Sequence, residues 1–458
     1  MAIVLSFTSL CLLLLIGKIL RVRIRFLQKL YLPAAVIGGL CGLLVLQLAG
    51  EHLPAGVTAG WDKLPGFLIN ICFASLFLGV KIPKLPQIWK QSGPQLAYGQ
   101  IVAWGQYVVG IGITVLLITP LFGLPAYFGV IIPVGFEGGH GTAAGLADVF
   151  RHFNWPEGLD YALTSATFGI ISAIIVGTGL VNWAVRRGYT RNLKKIEEIP
   201  ECNVIGIYDP AEQPSAGKQT VSSASVDTFA LHIAIVGVAV FIGYVLKLGL
   251  TGIESLFPSL QEKGLLSAFP LFPLSMIGGL IVQLLMSRVL KIDRILNREV
   301  VHRVSGTALD FLVVSAIAMI NLSLVSANLI PLLIIVLFGI LWNVFCVMFL
   351  ARRLLPDAWF ERAIAEMGQS MGVTATGLLL LRVVDPEQQT PAYQAFGYKQ
   401  LLHEPFMGGG VWTSLAVPLC IMGGGKTVFM ISLAAIAAWL LIWRLLFRKG
   451  IRAEKENK

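Results

Sequence analysis

The residues best suited to chemistry lie in one glycine-rich stretch, residues 134–145, which reads Val-Gly-Phe-Glu-Gly-Gly-His-Gly-Thr-Ala-Ala-Gly. Glu137 and His140 stand there between apolar segments long enough to cross a bilayer, where hydrocarbon penalises ionisable side chains. The glycines around them weaken any helix that runs through. Irregular backbone at membrane depth persists only where it is buried in protein or lines a wet cavity. The stretch therefore predicts the tip of a broken, re-entrant helix at a transport site; the alternative is a loop outside the membrane.

Composition indicates the class of protein that must position this stretch. The 458 residues are 56% hydrophobic and only 13% charged, whereas soluble domains carry about 25% charged residues. The apolar runs approach the roughly 20 residues that span a bilayer as a helix, which predicts an all-α polytopic membrane protein. The net charge of +10 does not indicate nucleic-acid binding, because the basic residues cluster in short loops. The six cysteines show no metal or redox spacing.

Eleven spans are predicted. They are residues 2–20, 31–49, 64–80, 96–118, 161–185, 229–248, 267–287, 305–321, 328–350, 400–422 and 427–447. Lysine and arginine concentrate in every second connection, namely 21–30, 81–95, 186–228, 288–304, the segment after 350 and the tail after 447. By the positive-inside rule these connections are cytoplasmic, so the N-terminus is predicted outside and the C-terminus inside.

An internal repeat divides the chain into two halves. Thr142-Ala-Ala-Gly-Leu recurs as Thr374-Ala-Thr-Gly-Leu, at an offset of 374 − 142 = 232 residues. Five spans in each half would make the second half enter the membrane in the opposite sense, as in inverted-topology transporters. The predicted units are a first repeat (1–185, re-entrant loop 120–152), a cytoplasmic linker (186–228), a second repeat (229–425, re-entrant loop 354–386) and an extra span with a basic tail (426–458).

Two opposed breaks would bring helix ends together near the bilayer midplane. A helix N-terminus has unpaired amides and a partial positive charge, which favours a carboxylate, and helices are expected to restart at Thr142 and near Thr374. Freed carbonyls and hydroxyls are hard oxygen ligands that suit Na⁺. The candidate substrate and ion ligands are Glu137, Gly138, Gly139, His140, Gly141, Thr142, Thr167, Gln369, Ser370, Gly372, Thr374 and Thr376. Arg382 and Glu404 are possible charge partners at the site. The alternatives are that Glu404 pairs with Arg382 and that His140 is a packed, hydrogen-bonded histidine.

Three motifs carry a resemblance to a known family. Gly138-Gly-His-Gly-Thr-Ala143 resembles the first pore-loop motif of the bacterial sodium/glutamate symporters. Leu32-Pro-Ala-Ala-Val-Ile-Gly-Gly39 and Ala166-Thr-Phe-Gly169 are similar to the starts of that family's second and fifth spans. The resemblance implies two inverted five-helix repeats, a homodimer with elevator-type movement, and Na⁺-driven uptake of L-glutamate.

The chain also departs from the family pattern. The second loop lacks adjacent glycines, Glu137 stands where a small residue is common, His403-Glu404 places charge at a normally apolar span start, and a further span follows residue 425. The first three departures touch the predicted site, so the substrate could differ from glutamate.

The leading hypothesis is a secondary transporter, not an enzyme, that takes up an anionic amino acid with Na⁺ across a bacterial cytoplasmic membrane. Moving one elementary charge across about 100 mV is worth about 2.3 kcal/mol. Because glutamate carries a net charge of −1, a cycle with one Na⁺ would be electroneutral and would not use the membrane potential. At least two Na⁺ per glutamate anion are therefore predicted. A second hypothesis is a proton-coupled organic-anion symporter that uses Glu137, Glu404 and the histidines. A membrane-embedded enzyme with Glu137 and His140 as an acid–base pair and a channel are the remaining alternatives. The expected partners are the substrate, sodium ions, lipid and a second copy of the chain, without nucleic acid.

Overall fold

The computed structural model describes residues 2–29, 32–54, 56–80, 85–191, 205, 207–261, 265–385, 389–448 and 451. In these residues the regular structure is entirely helical. Eight of their helices are long and apolar enough to cross a membrane, which confirms an all-α polytopic membrane protein. Several predicted features lie outside the described residues, namely parts of the basic segments (81–84, 192–204, 449–450 and 452–458), Cys202 and the end of the second loop at 386.

Among the residues that the structure describes, ten α-helices lie in the first half. They are α1 (Ala2–Arg23), α2 (Arg25–Lys29), α3 (Ala34–Ala49), α4 (Leu64–Ala74), α5 (Leu85–Ile113), α6 (Thr119–Phe122), α7 (Ile131–Gly135), α8 (Gly139–Gly145), α9 (Ala147–His152) and α10 (Glu157–Arg186). Short 3₁₀ turns occur at Gly50–His52 and Ala126–Val130, and a π-turn at Thr114–Ile118 joins α5 to α6.

The second half contributes thirteen α-helices to the described residues. They are α11 (Thr228–Ser255), α12 (Pro258–Gln261), α13 (Leu265–Ala268), α14 (Leu271–Leu284), α15 (Arg298–Ala318), α16 (Leu322–Ala327), α17 (Leu329–Phe345), α18 (Ala351–Leu354), α19 (Trp359–Ser370), α20 (Thr374–Val384), α21 (Ala392–His403), α22 (Val411–Met422) and α23 (Lys426–Leu446). The remaining turns are 3₁₀ at Pro210–Glu212 and Asp293–Ile295, and π at Leu285–Val289 and Cys346–Leu350.

The prediction of a continuous span over 400–422 is wrong. Two shorter helices, α21 and α22, replace it, and residues 404–410 between them are not helical. Pro405 removes a backbone donor, and Gly409 adopts φ +89°, a conformation that disfavours other residues. The predicted span 64–80 is also shorter than expected, because α4 ends at Ala74.

The helices pack in two groups. The first group contains α1, α3 and α4 with α11, α14 and α15, and the second contains α5, α10, α17 and α21 with the two segments that carry the breaks. Glycines bring backbones of the first group close together: a methyl group at Gly17 would lie 2.1 Å from the Ala34 carbonyl oxygen, and one at Gly278 would lie 2.1 Å from that of Ala239. Such crossings are typical of helices that associate through small residues in membranes.

Two π-turns occur at matching places in the halves. Thr114–Ile118 and Cys346–Leu350 each end the long helix before a break, and they are separated by 346 − 114 = 232 residues, the offset of the sequence repeat. π-Turns are rare and arise as single insertions in α-helices. Their spacing supports the predicted repeat, whose opposite orientation in a membrane stays a prediction.

Candidate functional site

Each half contains an interrupted helix at the repeated motif. In the first, which we call tip 1, α7 ends at Gly135 and α8 begins at Gly139, where a φ of +69° makes the turn. In the second, tip 2, α19 ends at Ser370 and α20 begins at Thr374 after Val373 in extended conformation, φ −143° and ψ 165°. The helix of tip 1 therefore resumes three residues before the expected Thr142, because the turn is made by Gly139 itself. The helix of tip 2 resumes at Thr374, as predicted.

The two tips contact each other directly. The Gln369 side-chain amide donates to Glu137 Oε1 at 2.8 Å, and these residues occupy equivalent repeat positions because 369 − 137 = 232. A methyl group at Gly139 would lie 3.2 Å from Val373 Cγ1. Glu137 and Gln369 are almost fully buried, at 4% and 2% exposure, so the breaks converge inside the protein.

His403, at the end of α21, also reaches Glu137. Its Nε2 lies 2.5 Å from Glu137 Oε1, and its Nδ1 lies 3.2 Å from the Gln100 amide nitrogen. Trp104 Nε1 can only donate, and it donates to Gln100 Oε1 at 2.9 Å. The Gln100 amide must then donate to His403 Nδ1, so the imidazole is neutral and its Nε2–H donates to Glu137.

A buried lysine orders the other side of tip 2. Lys399 Nζ donates to Glu366 Oε1 at 2.5 Å, to Gln369 Oε1 at 3.0 Å and to Gln400 Oε1 at 2.9 Å. Gln95 donates to the second oxygen of Glu366 at 2.9 Å. Because an ammonium is a donor only, the Gln369 oxygen must face Lys399 and its amide nitrogen must face Glu137.

The start of α20 is already occupied by a carboxylate of the chain. Thr374 Oγ1 donates to Glu404 Oε1, and Gln400 Nε2 lies 2.6 Å from Thr374 Oγ1 and 3.1 Å from Glu404 Oε1. Arg382 is exposed, and among the described residues no ion pair joins Arg382 to Glu404. Glu404 thus contacts tip 2, and its anticipated pairing with Arg382 is not observed.

Tip 1 has unsatisfied oxygens. Among the described residues, Glu137 Oε2 and Thr142 Oγ1 are buried without a hydrogen-bond partner. His140 Nε2, by contrast, is 2.9 Å from Thr167 Oγ1, and Thr167 in turn donates to the Leu163 carbonyl. His140 is therefore a packed, hydrogen-bonded residue in this conformation, while Glu137 and Thr142 have acceptor capacity to offer a ligand.

The contacts define one polar cluster, the tip network: Gln95, Gln100, Glu137, Glu366, Gln369, Thr374, Lys399, Gln400, His403 and Glu404. The hydrogen-bond partners of its carboxylates can all donate, and with the carboxylates ionised, three carboxylates and one ammonium give a formal charge of −3 + 1 = −2. Buried charge that is not balanced is costly. The network is thus suited to bind cations, although the described residues contain no cluster of ligands for a transition metal.

Most predicted residues lie around this network. Ser370 donates to Asn343 Oδ1 at 2.6 Å, while its carbonyl accepts from Gln106 at 2.5 Å. A methyl group at Gly372 would lie 3.0 Å from Thr376 Oγ1, so these two residues pack within tip 2. Arg382 does not join the cluster.

Several members of the network are absent from the sequence prediction. They are Gln95, Gln100, Glu366, Lys399 and Gln400. Their signal is visible in the sequence, since amides and charges within or beside apolar spans are rare without a function. Only the structure shows that they converge, because they come from three separate helices, α5, α19 and α21.

Comparisons with known proteins agree with the geometry. The family model "Sodium/glutamate symporter" matches residues 1–385. A sodium/glutamate symporter of Haemophilus influenzae is 24% identical over 391 residues, which cover 84% of this chain and 89% of the relative. The sodium/glutamate symporter of Escherichia coli is 27% identical over 230 residues, 48% of this chain and 52% of the relative. The family match spans both interrupted helices, and the chain belongs to the sodium/glutamate symporter family.

Proposed function

We propose that this protein takes up L-glutamate, or a similar anionic amino acid, together with Na⁺ across the cytoplasmic membrane of a bacterium. The observation that carries the proposal is the contact between tip 1 and tip 2, made by the repeat-related residues Glu137 and Gln369 at 2.8 Å. Broken helices that meet in the protein interior are where transporters of this architecture bind substrate and ion. The family is one of symporters, which excludes the membrane-embedded enzyme.

Na⁺ suits the oxygens that tip 1 leaves unpaired. Glu137 Oε2 and Thr142 Oγ1 are buried acceptors without a partner among the described residues, and hard cations take oxygen ligands. A substrate carboxylate would reach the N-terminal end of α20, at Thr374, only by displacing Glu404, whose carboxylate occupies this helix end in the structure. The substrate's ammonium group would be favoured by Glu404, which borders the same helix end.

The charge of the tip network supports more than one cation per cycle. Its formal charge of −2 requires two positive charges for balance, before the −1 of the substrate is added. Two Na⁺ would also let the membrane potential drive uptake, at about 2.3 kcal/mol for each net charge and about 100 mV. The stoichiometry of at least two Na⁺ per glutamate follows as part of the proposal.

The movement we propose is of elevator type, in a homodimer. Support comes from the two packing groups: the tips belong to the group of α5, α10 and α17, while α3, α4, α14 and α15 belong to the other. A rigid group that holds the site and shifts against a second group gives alternating access. The basic connections support an N-terminus outside and a C-terminus inside the cell.

Uptake of labelled L-glutamate into proteoliposomes tests the proposal. We expect accumulation with an inward Na⁺ gradient, faster with a negative interior, and none with choline or K⁺ outside. A panel of dicarboxylates and amino acids in competition defines the substrate. Uptake that is independent of Na⁺ would contradict the coupling, and uptake that ignores an imposed potential would contradict the stoichiometry.

A proton-coupled symporter on the same fold is the second candidate, and one observation favours it. The Glu137–His403 pair, at 2.5 Å and fully buried, joins tip 1 to α21 and could hold a proton between carboxylate and imidazole. Lys399 and Glu404 lie in the same network and would share its charge balance. Uptake driven by a pH gradient in sodium-free buffer would establish this function and exclude obligatory sodium coupling.

A further inference from the structure

The ammonium of Lys399 lies in a closed cage of oxygens. Its ligands are Glu366 Oε1, Gln400 Oε1 and Gln369 Oε1, at 2.5, 2.9 and 3.0 Å. Both side chains of the ion pair are fully buried, at 0% exposure. The ammonium is therefore saturated by the protein itself, and it is not available to hold a substrate carboxylate in this conformation.

The surrounding helices are shaped to admit this cage. A methyl group at Gly99 of α5 would lie 2.5 Å from both Glu366 Oε1 and Lys399 Cε. Gln95, one turn earlier on α5, donates to the other Glu366 oxygen at 2.9 Å. Three elements, α5, α19 and α21, thus combine to bury one carboxylate and one cation beside tip 2. A buried ion pair of this kind stabilises little against an apolar pair of the same shape, so stability alone does not explain it.

The first half has a different residue at the position equivalent to Lys399. Counting back by the repeat offset gives 399 − 232 = 167, so Thr167, which lies against His140 of tip 1, is the residue at the position equivalent to Lys399. The first half thus has a neutral hydroxyl, already hydrogen-bonded with His140 and the Leu163 carbonyl, where the second half has a cation that is part of the chain. The repeat therefore places one neutral oxygen and one fixed charge at equivalent places.

We propose that Lys399 supplies permanently the positive charge that a transported sodium ion would otherwise bring to the Glu366–Gln369–Gln400 cage. Glu366 is thereby neutralised throughout the cycle, and only the remaining charge of −2 is left for mobile cations. Lys399 is in this sense a determinant of the ion-to-substrate ratio. The inference rests on the proposed sodium coupling, and it adds which part of the network takes no mobile ion.

Removal of the fixed cation gives the test. Lys399→Ala leaves the three cage oxygens, including that of Glu366, without their ammonium, whereas the double variant Glu366→Gln/Lys399→Met removes both charges and fills the space. The ratio of Na⁺ to glutamate is read in proteoliposomes from the membrane potential at which net flux stops. We expect Lys399→Ala to raise this ratio by one Na⁺ and the double variant to keep the ratio of the unmodified chain.

A second measurement tests the role of Lys399 if the Lys399→Ala protein does not transport glutamate. Thermal unfolding in detergent, with NaCl against choline chloride, should show a larger Na⁺-dependent rise in Tm for Lys399→Ala than for the unmodified chain or the double variant. An unchanged ratio in a transporting Lys399→Ala protein, or equal Na⁺ effects on Tm in all three proteins, would overturn the inference. Absence of sodium-coupled uptake by the unmodified chain would instead refute the proposed function, and the Tm comparison would still decide the role of Lys399.

Discussion

Tip 1 and tip 2 contain similar sequences, but the equivalent side chains differ in their hydrogen bonding. In tip 1 the Thr142 hydroxyl and Glu137 Oε2 are buried without partners among the described residues. In tip 2 the equivalent Thr374 hydroxyl is bonded to Glu404 and Gln400, and Gln369 bridges Lys399 and Glu137. At the breaks themselves the unpaired buried oxygens of the described residues thus lie in tip 1, while Gln95 and Gln106 of α5 hold unpaired buried oxygens beside tip 2.

The helices that follow the tips differ in the same way. After tip 1, α10 runs unbroken over 30 residues. After tip 2, the chain breaks over residues 404–410, and a methyl group at Gly409 in this segment would lie 2.0 Å from Thr142 Oγ1. The broken segment thus lies against tip 1 as well as bonding tip 2 through Glu404. A repeat can keep its backbone plan while one copy provides the ligands and the other provides fixed charge.

The largest expected effect follows from closing the contact between the tips. Gly139→Val places a β-branched side chain at φ +69°, against Val373 and the Gly372 carbonyl, and we expect glutamate uptake to fall to background. Gly179→Val is the matched control, because a methyl group at Gly179 has no heavy atom within 4 Å. Membrane insertion, measured by detergent extraction and gel filtration, should be normal for both proteins. Wild-type uptake by Gly139→Val would argue against a site at the tips.

A second experiment removes the charge of tip 1. Glu137→Gln keeps the shape of the side chain but lowers the negative charge of the tip network by one. We expect the Na⁺ concentration for half-maximal uptake to rise about tenfold, equivalent to about 1.4 kcal/mol of lost cation binding, and the coupling ratio to fall by one. Uptake measured against Na⁺ concentration shows the first change and the flux-reversal potential the second. An unaltered sodium dependence would place the cation elsewhere.

The repeat-related threonines allow a matched comparison. Thr142→Val removes a hydroxyl without a protein partner, so we expect unchanged thermal stability and a several-fold weaker Na⁺ dependence of uptake. Thr374→Val leaves Glu404 and Gln400 without their shared partner, a loss of about 1–3 kcal/mol for buried polar groups, so its Tm should fall. Stability is read by thermal unfolding in detergent. The reverse pattern would mean that tip 2, and not tip 1, is the unsatisfied one.

The smallest effect is expected at Thr167. Thr167→Ser keeps the hydroxyl that lies 2.9 Å from His140 Nε2, and uptake should stay within about twofold of the unmodified chain. Thr167→Val removes that hydrogen bond and should cost about 1 kcal/mol of stability. Equal behaviour of the two variants in thermal unfolding and uptake would show that the hydroxyl has no role.

The sequence predicts the fold class and the first break because their signals are local, whereas the second break, which lacks adjacent glycines, is predicted from the internal repeat. Adjacent glycines interrupt a helix wherever they lie, and a span is recognised from the length of its own apolar run. The broken segment 404–410 has local signals too, Pro405 and three successive glycines, but its apolar neighbours favour the interpretation as one span. The described helices follow those local rules closely enough to position the tips.

The chemistry of the site is less predictable because it is made by distant residues. Lys399 and Glu366 are separated by 33 positions, and Gln95 joins them from 271 positions away. By the positive-inside rule a lysine beside a span is counted as a loop charge, so the sequence does not indicate that Lys399 is buried. Glu137 is predicted as a site residue because it stands between membrane-length apolar segments, yet its partners His403 and Gln369 come from the other half of the chain.

The glycines of α8 have a mechanical consequence at the boundary between the two packing groups. A methyl group at Gly141 would lie 2.7 Å from Ile69 of α4, and one at Gly145 would lie 2.7 Å from Phe272 of α14. The second arm of tip 1 therefore meets the other group with bare backbone, and no side chain of these two positions interlocks with it. Shear between packed elements is easiest across such a smooth surface, so the proposed elevator-type movement would meet the least resistance beside the candidate site residues.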